Sequence, residues 1–350
     1  MRALTVAPGR AGSLAVTDVP DPEPVAGELL VDGLAVGVCG TDREIAGGAY
    51  GAPPPARERL VIGHESLGRV RTAPPDSGFA PGDLIAGVVR RPDPEPCGAC
   101  AHGEPDMCRN GGYTERGISG LDGYASPMWT VPPEYAVRLN PGLERTGVLL
   151  EPAAVVVKAW EQVQPVGERS WFAPRRALIT GAGPIGLLAA LLAVQRGLDT
   201  HVLDIVSRGP KPDLVRALGA TYHHDGLDAA VASSAPDVVI EATGVSSVVF
   251  GALAATAPYG IVCLTGMSSG ARRVELDGGG LNRELVLEND AVVGSVNANR
   301  RHFTAAAAAL ALADPGWLQR LISRRVPLER ADEAFDPEDD DVKVVVEVGR

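Results

Sequence analysis

The sequence predicts an α/β protein in two parts, a β-barrel-like domain followed by a doubly wound parallel sheet. Three observations predict it. Residues 1–150 are rich in Gly and Pro, with short apolar runs such as Glu28-Leu29-Leu30-Val31, Leu34-Ala35-Val36-Gly37-Val38 and Leu84-Ile85-Ala86-Gly87-Val88-Val89 set between turn signals. From residue 151 the texture changes to strands alternating with helical patterns, the signature of a parallel sheet. Between one such strand and helix stands Gly181-Ala182-Gly183-Pro184-Ile185-Gly186.

The elements follow in order. Pro81-Gly82-Asp83 is a turn ahead of the strand at Leu84. Ala153 to Val163 has helical length and no breaker. Ala177-Leu178-Ile179-Thr180 is a strand, the glycine loop follows, and an apolar helix runs from Pro184 to Arg196. Thr200-His201-Val202-Leu203-Asp204, Val238-Val239-Ile240, Ile261-Val262-Cys263-Leu264 and Ala291-Val292-Val293 are the further strands. An alanine-rich helix from Phe303 to Ala313 and a last strand, Val342 to Val346, close the chain. That strand is expected to return to the first domain. Residues 1–150 and 299–350 then form one domain and residues 151–298 an insertion within it.

With 350 residues the chain can bury one sizeable core in each domain. A net charge of −12 and no basic run argue against nucleic acid or an anionic membrane as partner. The N-terminus lacks a charged segment followed by an apolar one, and no apolar stretch approaches the roughly eighteen residues of a membrane span. A soluble, cytoplasmic protein is expected. Five cysteines, Cys39, Cys97, Cys100, Cys108 and Cys263, are an odd number and a poor disulfide framework. Cys263 lies in an apolar run and reads as a small buried hydrophobe.

The G-x-G-x-x-G run has the context of a dinucleotide cradle, strand before and helix after. Gly181 permits the tight turn, Gly183 lets a pyrophosphate approach the backbone, and Gly186 allows helix to pack on sheet. Pro184 and Ile185 open the helix, where the missing N–H of proline costs little. Asp204, at the end of the next strand, would accept hydrogen bonds from the adenosine ribose and favours NAD. Arg208 and Lys211 could pair with the extra phosphate of NADP. Thr243 and Thr265 follow predicted strands and should lie near the ribose and nicotinamide.

Cys39, His64 and a carboxylate make a three-ligand zinc site with an open fourth position. Glu65, beside His64, and Glu151, where the two domains must meet, compete for the third place, with Glu151 slightly ahead as permanent ligand. Thr41, two residues after Cys39, can relay a substrate proton. Cys97, Cys100 and Cys108 suit a structural zinc, for which Asp93, Glu95 or His102 would have to supply a fourth ligand.

With these motifs placed, the chain resembles the medium-chain, zinc-dependent alcohol dehydrogenase superfamily, and within it the glucose 1-dehydrogenases. The likeness runs nearly end to end. It rests on Val38-Cys39-Gly40-Thr41-Asp42-Arg43-Glu44, Ile62-Gly63-His64-Glu65, Asp106-Met107-Cys108-Arg109-Asn110-Gly111, Tyr113-Thr114-Glu115-Arg116-Gly117-Ile118, Leu149-Leu150-Glu151-Pro152 and Gly294-Ser295-Val296-Asn297. It implies a GroES-like β-barrel catalytic domain, a Rossmann domain, zinc, a nicotinamide cofactor and a homodimer or homotetramer. It assigns Cys39, His64, Glu65 and Glu151 to the catalytic zinc, Thr41 to the relay, Glu115 to the sugar, and Asn297 to both sugar and nicotinamide. The superfamily's structural zinc uses four cysteines, and Pro94 stands in the first place here. Two positions that carry polar groups in the sugar dehydrogenases are Val89 and Val155. The reading is therefore a zinc- and NAD(P)-dependent dehydrogenase of a sugar or polyol. A modified sugar or cyclitol is the alternative substrate. A zinc-free enone or quinone reductase, or a nucleotide-sensing protein without chemistry, are the alternatives in kind.

Overall fold

The computed structural model describes residues 1–268 and 273–349. They form two compact units, Met1–Ala154 with Asn297–Arg350, and Val155–Val296. Residues 151–154, 297 and 298, expected with the second unit, sit with the first. The cause is local: the helix expected over Ala153 to Val163 runs over Leu150–Gly167, so the chain changes unit inside a helix rather than before one.

The first unit is built on strand Leu29–Val38. The sequence reads as two runs there, yet one strand forms, with register irregularities at Leu30/Val31 and Gly33/Ala35. Its first half alternates buried and half-buried residues; its last four, Ala35 to Val38, are buried on both faces. Strand Glu65–Thr72 pairs with it on one side and the final strand Lys343–Glu347 on the other, both antiparallel. A seven-stranded sheet results, flanked among the described residues by two three-stranded ones. The return of the C-terminal strand makes the barrel-like unit discontinuous in sequence.

The second unit is a six-stranded parallel sheet. In spatial order its strands are Thr221–His223, Asp199–Leu203, Arg176–Thr180, Val238–Glu241, Ile261–Leu264 and Ala291–Gly294. The order reverses beside Arg176–Thr180, the place where open sheets of this kind bind ligands at their carboxyl ends. Leu178, Val239 and Val262 form the centre of its core together with Ala230, Ala252 and Ala255, all at most 2% exposed. Cys263 is fully buried, and burial pushes its thiol up to about 12, so it packs as an apolar group.

Candidate active site

Three residues from two turns of the first unit converge. Strand Leu29–Val38 ends at Cys39, which begins the helix Gly40–Ala46. Gly63, at φ +90°, bends the chain in the left-handed region just before His64 and Glu65. Ligand atoms of Cys39, His64 and Glu65 all lie within 4.8 Å of one another. Cys39 Sγ is 3.2 Å from His64 Nε2, close to the separation of about 3.5 Å that tetrahedral Zn–S and Zn–N bonds impose. One thiol, one imidazole and one carboxylate are the donor set of a catalytic zinc. The residues fit that metal. Among the described residues no grouping at this distance includes Glu151. Glu151 lies in the first turn of the helix Leu150–Gly167, and its carboxyl is in the field of His64 and Glu65. Thr41 sits half-buried in the first turn of the helix after Cys39.

The residues behind these donors were not singled out by the sequence. Asp42 is 1% exposed; its Oδ2 accepts from the Cys39 backbone N–H at 2.9 Å and its Oδ1 lies 3.3 Å from His64 Nδ1. A carboxylate on Nδ1 orients the ring and presents Nε2 as the ligand atom. Burial works against the Asp42 charge, but His64 beside it holds the carboxyl below its usual range. Burial likewise disfavours a charged His64, and Asp42 and Cys39 override it to raise the imidazole well above 6.5. Burial pushes the Cys39 thiol up and Glu151 up to about 7.

Lys343 is 1% exposed and pairs through Nζ with Glu65 Oε2, while also donating to the Val38 carbonyl at 3.0 Å. A Cβ at Gly37 would stand 1.9 Å from Glu65 Oε2 and 2.8 Å from the Lys343 side chain, so only glycine leaves room for the pair. Removing one member of such a buried pair costs about 3–5 kcal/mol, because the other charge stays behind unpaired.

Farther along the unit, Glu115 and Asn297 meet. Asn297 Nδ2 donates to Glu115 Oε1 at 2.6 Å. Asn297 holds φ +61°, a left-handed backbone that costs energy for a residue with a side chain. Val89 is 2% exposed and Val155 half-buried.

Cys97, Cys100 and Cys108 also cluster within 4.8 Å. Backbone N–H donors, that of Arg109 foremost, pull the Cys97 thiol down to about 6. No fourth His, Cys, Asp or Glu among the described residues joins them. His102 Nδ1 is engaged with the Gly98 carbonyl at 2.6 Å, and Asp93 accepts from the Glu95 and Gly112 backbone.

In the second unit, strand Arg176–Thr180 leads through the glycine loop into helix Pro184–Gln195. A Cβ at Gly186 would stand 1.8 Å from the Gly181 carbonyl oxygen, whereas one at Gly183 meets nothing within 4 Å. The loop is therefore closed behind and open in front, a fit for a pyrophosphate on the helix N-terminus. Asp204 Oδ2 accepts from the Ala182 N–H at 2.7 Å and lies 3.6 Å from Lys211 Nζ; Arg208 is exposed. Glu241, fully buried at the end of its strand, accepts from Thr180 Oγ1 at 3.2 Å, Thr243 N at 2.7 Å and Thr243 Oγ1, and its carbonyl accepts from Thr265 Oγ1 at 2.7 Å. It organises both threonines, a role that the sequence analysis does not assign to it.

Comparison with known proteins agrees with this geometry. Residues 25–141 match the alcohol dehydrogenase GroES-like domain, and residues 144–348 the glucose dehydrogenase C-terminus. The chain is 42% identical to a glucose 1-dehydrogenase of Methanocella arvoryzae, with 100% of each covered, and 39% identical to one of Thermoproteus tenax, with 99% of each covered. The Haloferax mediterranei glucose dehydrogenase, solved with NADP, zinc and gluconolactone, is 34% identical and superposes over 100% of both chains at a TM-score of 0.92. Among the described residues no helix is long and apolar enough to cross a membrane. The chain belongs to the glucose dehydrogenase family of the zinc-dependent alcohol dehydrogenases.

Proposed function

We propose that the protein is a zinc- and NAD(P)-dependent sugar dehydrogenase that oxidises the anomeric hydroxyl of an aldose to a lactone. The observation that carries this reading is the convergence of Cys39, His64 and Glu65 on one buried point, with Asp42 and Lys343 fixing them from behind. Cys39, His64 and Glu65 would hold the metal, with Glu151 in reserve. The loop from Gly181 to Gly186, with Asp204, Thr243 and Thr265, would hold the cofactor. When bound, zinc polarises the substrate C–O bond and the nicotinamide accepts hydride. Thr41 takes the hydroxyl proton and passes it toward solvent. Glu115 and Asn297 bind the sugar hydroxyls, whose desolvation demands polar partners.

The test is turnover of a panel of aldoses, cyclitols and simple alcohols with NAD and with NADP. Reduction of the cofactor by glucose or an epimer is expected; silence on every aldose would sink the reading. One observation favours a second substrate class. Val89, 2% exposed, and Val155, half-buried, are apolar at two places where the resemblance implies polar groups, which suits a modified sugar or cyclitol.

Asp204 favours NAD, since a carboxylate at the end of this strand accepts from the ribose hydroxyls and repels the extra phosphate of NADP. Asp204→Ala is expected to shift the ratio of kcat/KM values toward NADP by about tenfold, by releasing Lys211 for that phosphate. An unchanged ratio would show that Asp204 is not the selector.

A homo-oligomer is part of the proposal. Among the described residues the edge strand Ala291–Gly294 pairs on one side only and exposes Val292, and Val286 and Leu287, in the helix Gly278–Glu288 before it, are 66% and 64% exposed. Such an edge is normally covered. Sedimentation should give a dimer or larger, and a monomer at micromolar concentration would refute it.

A further inference from the structure

The glucose dehydrogenase reading gives Glu115 to the sugar but says nothing of what holds it. We propose that Arg90 is a positioning residue for the sugar site, fixing the Glu115 carboxylate and tying it to the backbone of the cysteine lobe. The inference rests on the sugar reading.

Arg90 is 7% exposed and its guanidinium is committed on every side. Nε and Nη2 both donate to Glu115 Oε1, at 3.1 and 3.0 Å. Nη1 donates to the carbonyls of Pro105 and Asp106, at 3.5 and 3.3 Å. The Tyr113 ring lies against its face, 3.7 Å from centroid to Cζ. With Asn297 Nδ2, three donors converge on Oε1. Among the described residues no hydrogen bond reaches Oε2, so that oxygen is left to accept from a substrate hydroxyl.

Pro105 and Asp106 lie in the short turn Pro105–Met107, between Cys100 and Cys108. Asp106 Oδ1 also accepts from Asn299 Nδ2 at 2.8 Å, two residues past Asn297. The lobe that carries the three clustered cysteines thus grips both sugar-facing groups: Glu115 through Arg90, and the segment of Asn297 through Asn299. A planar fork is needed for this. A lysine offers a point charge and cannot bridge a carboxylate and two carbonyls at fixed angles.

The experiment uses the intact, zinc-loaded enzyme on the best sugar of the panel. Arg90→Gln and Arg90→Lys are expected to raise the sugar KM roughly tenfold to a hundredfold, with a smaller change in kcat. The dissociation constant of the cofactor and the zinc content should not move. Glu115→Gln should raise KM as well, and the double variant with Arg90→Gln should raise it no further, as expected of two residues acting as one unit. Cys108→Ser, which loosens the lobe, should shift KM in the same direction and so tests the link even where Arg90→Gln fails to fold. A purely structural Arg90 would lower the active fraction, and hence kcat, with KM unmoved; that result overturns the proposal. So does a wild-type KM in both Arg90→Lys and Cys108→Ser. If the wild type turns over no sugar, the sugar reading and this proposal fall together, whereas unshifted KM values in an active enzyme remove this proposal alone.

Discussion

Cys39→Ser or His64→Ala should lower kcat/KM by at least about three orders of magnitude while NAD(P)H still binds. Loss of a Lewis acid removes several kcal/mol of charge stabilisation, and each factor of ten is worth about 1.4 kcal/mol. Cys39→Ser is the cleaner of the two. Cys39 precedes the helix Gly40–Ala46, and serine is a good residue at a helix N-cap, so the helix should persist. His64→Ala also strips Asp42 of its partner and should cost stability besides activity. Zinc content measured by mass spectrometry, with cofactor fluorescence in parallel, separates loss of metal from loss of fold. A zinc-free variant with wild-type turnover would end the metal mechanism. The same donors set a pH dependence. Burial raises the Cys39 thiol, and Asp42 and Cys39 raise His64, so in the metal-free chain both hold their protons more tightly than the free side chains do. Zinc must displace those protons, so its apparent affinity should weaken as pH falls from 8 to 6, read by competition with a chelator. An affinity that is flat over that range would contradict the assignment.

The proposed zinc donors can be read from the sequence and their supports cannot, for a physical reason. Cys39-Gly40-Thr41 and Gly63-His64-Glu65 are local patterns, and the ligating atoms belong to residue types that zinc selects. Asp42, Arg90 and Lys343 look like ordinary charges on a solvated surface. Lys343 reaches Val38 across 305 positions. It does so only because the last strand pairs with Leu29–Val38, and no periodicity fixes that partner or its register. The choice between Glu65 and Glu151 was open for the same reason: residue type cannot rank two carboxylates whose approach to the Cys39 and His64 pair is set by tertiary packing. In the second unit the alternation of strand and helix and the glycine loop were local and legible. Glu241 was not, because its task is to gather N–H and O–H groups from three segments that adjoin only in the folded sheet.

The glycine loop yields the complementary experiment, in which cofactor binding is lost and the metal stays. Gly183→Ala and Gly186→Ala add the same methyl group three residues apart, and opposite consequences follow. At Gly186 the new Cβ would stand 1.8 Å from the Gly181 carbonyl oxygen. That atom is backbone, held between a strand and a helix, so helix Pro184–Gln195 must shift off the sheet. Overpacking of this kind costs about 1–3 kcal/mol or more, and both melting temperature and cofactor affinity should fall. At Gly183 the Cβ meets no protein atom within 4 Å, so the melting temperature should hold. The methyl group instead occupies the space in front of the loop, where a pyrophosphate must approach the N–H groups at the helix start. Cofactor affinity should fall at least about tenfold in a protein of native stability and native zinc content. Calorimetric titration with NAD and NADP, beside thermal melts, reads both quantities. Normal binding by Gly183→Ala would place the phosphates elsewhere. Normal stability of Gly186→Ala would show that the contact between helix and loop is looser than 1.8 Å allows.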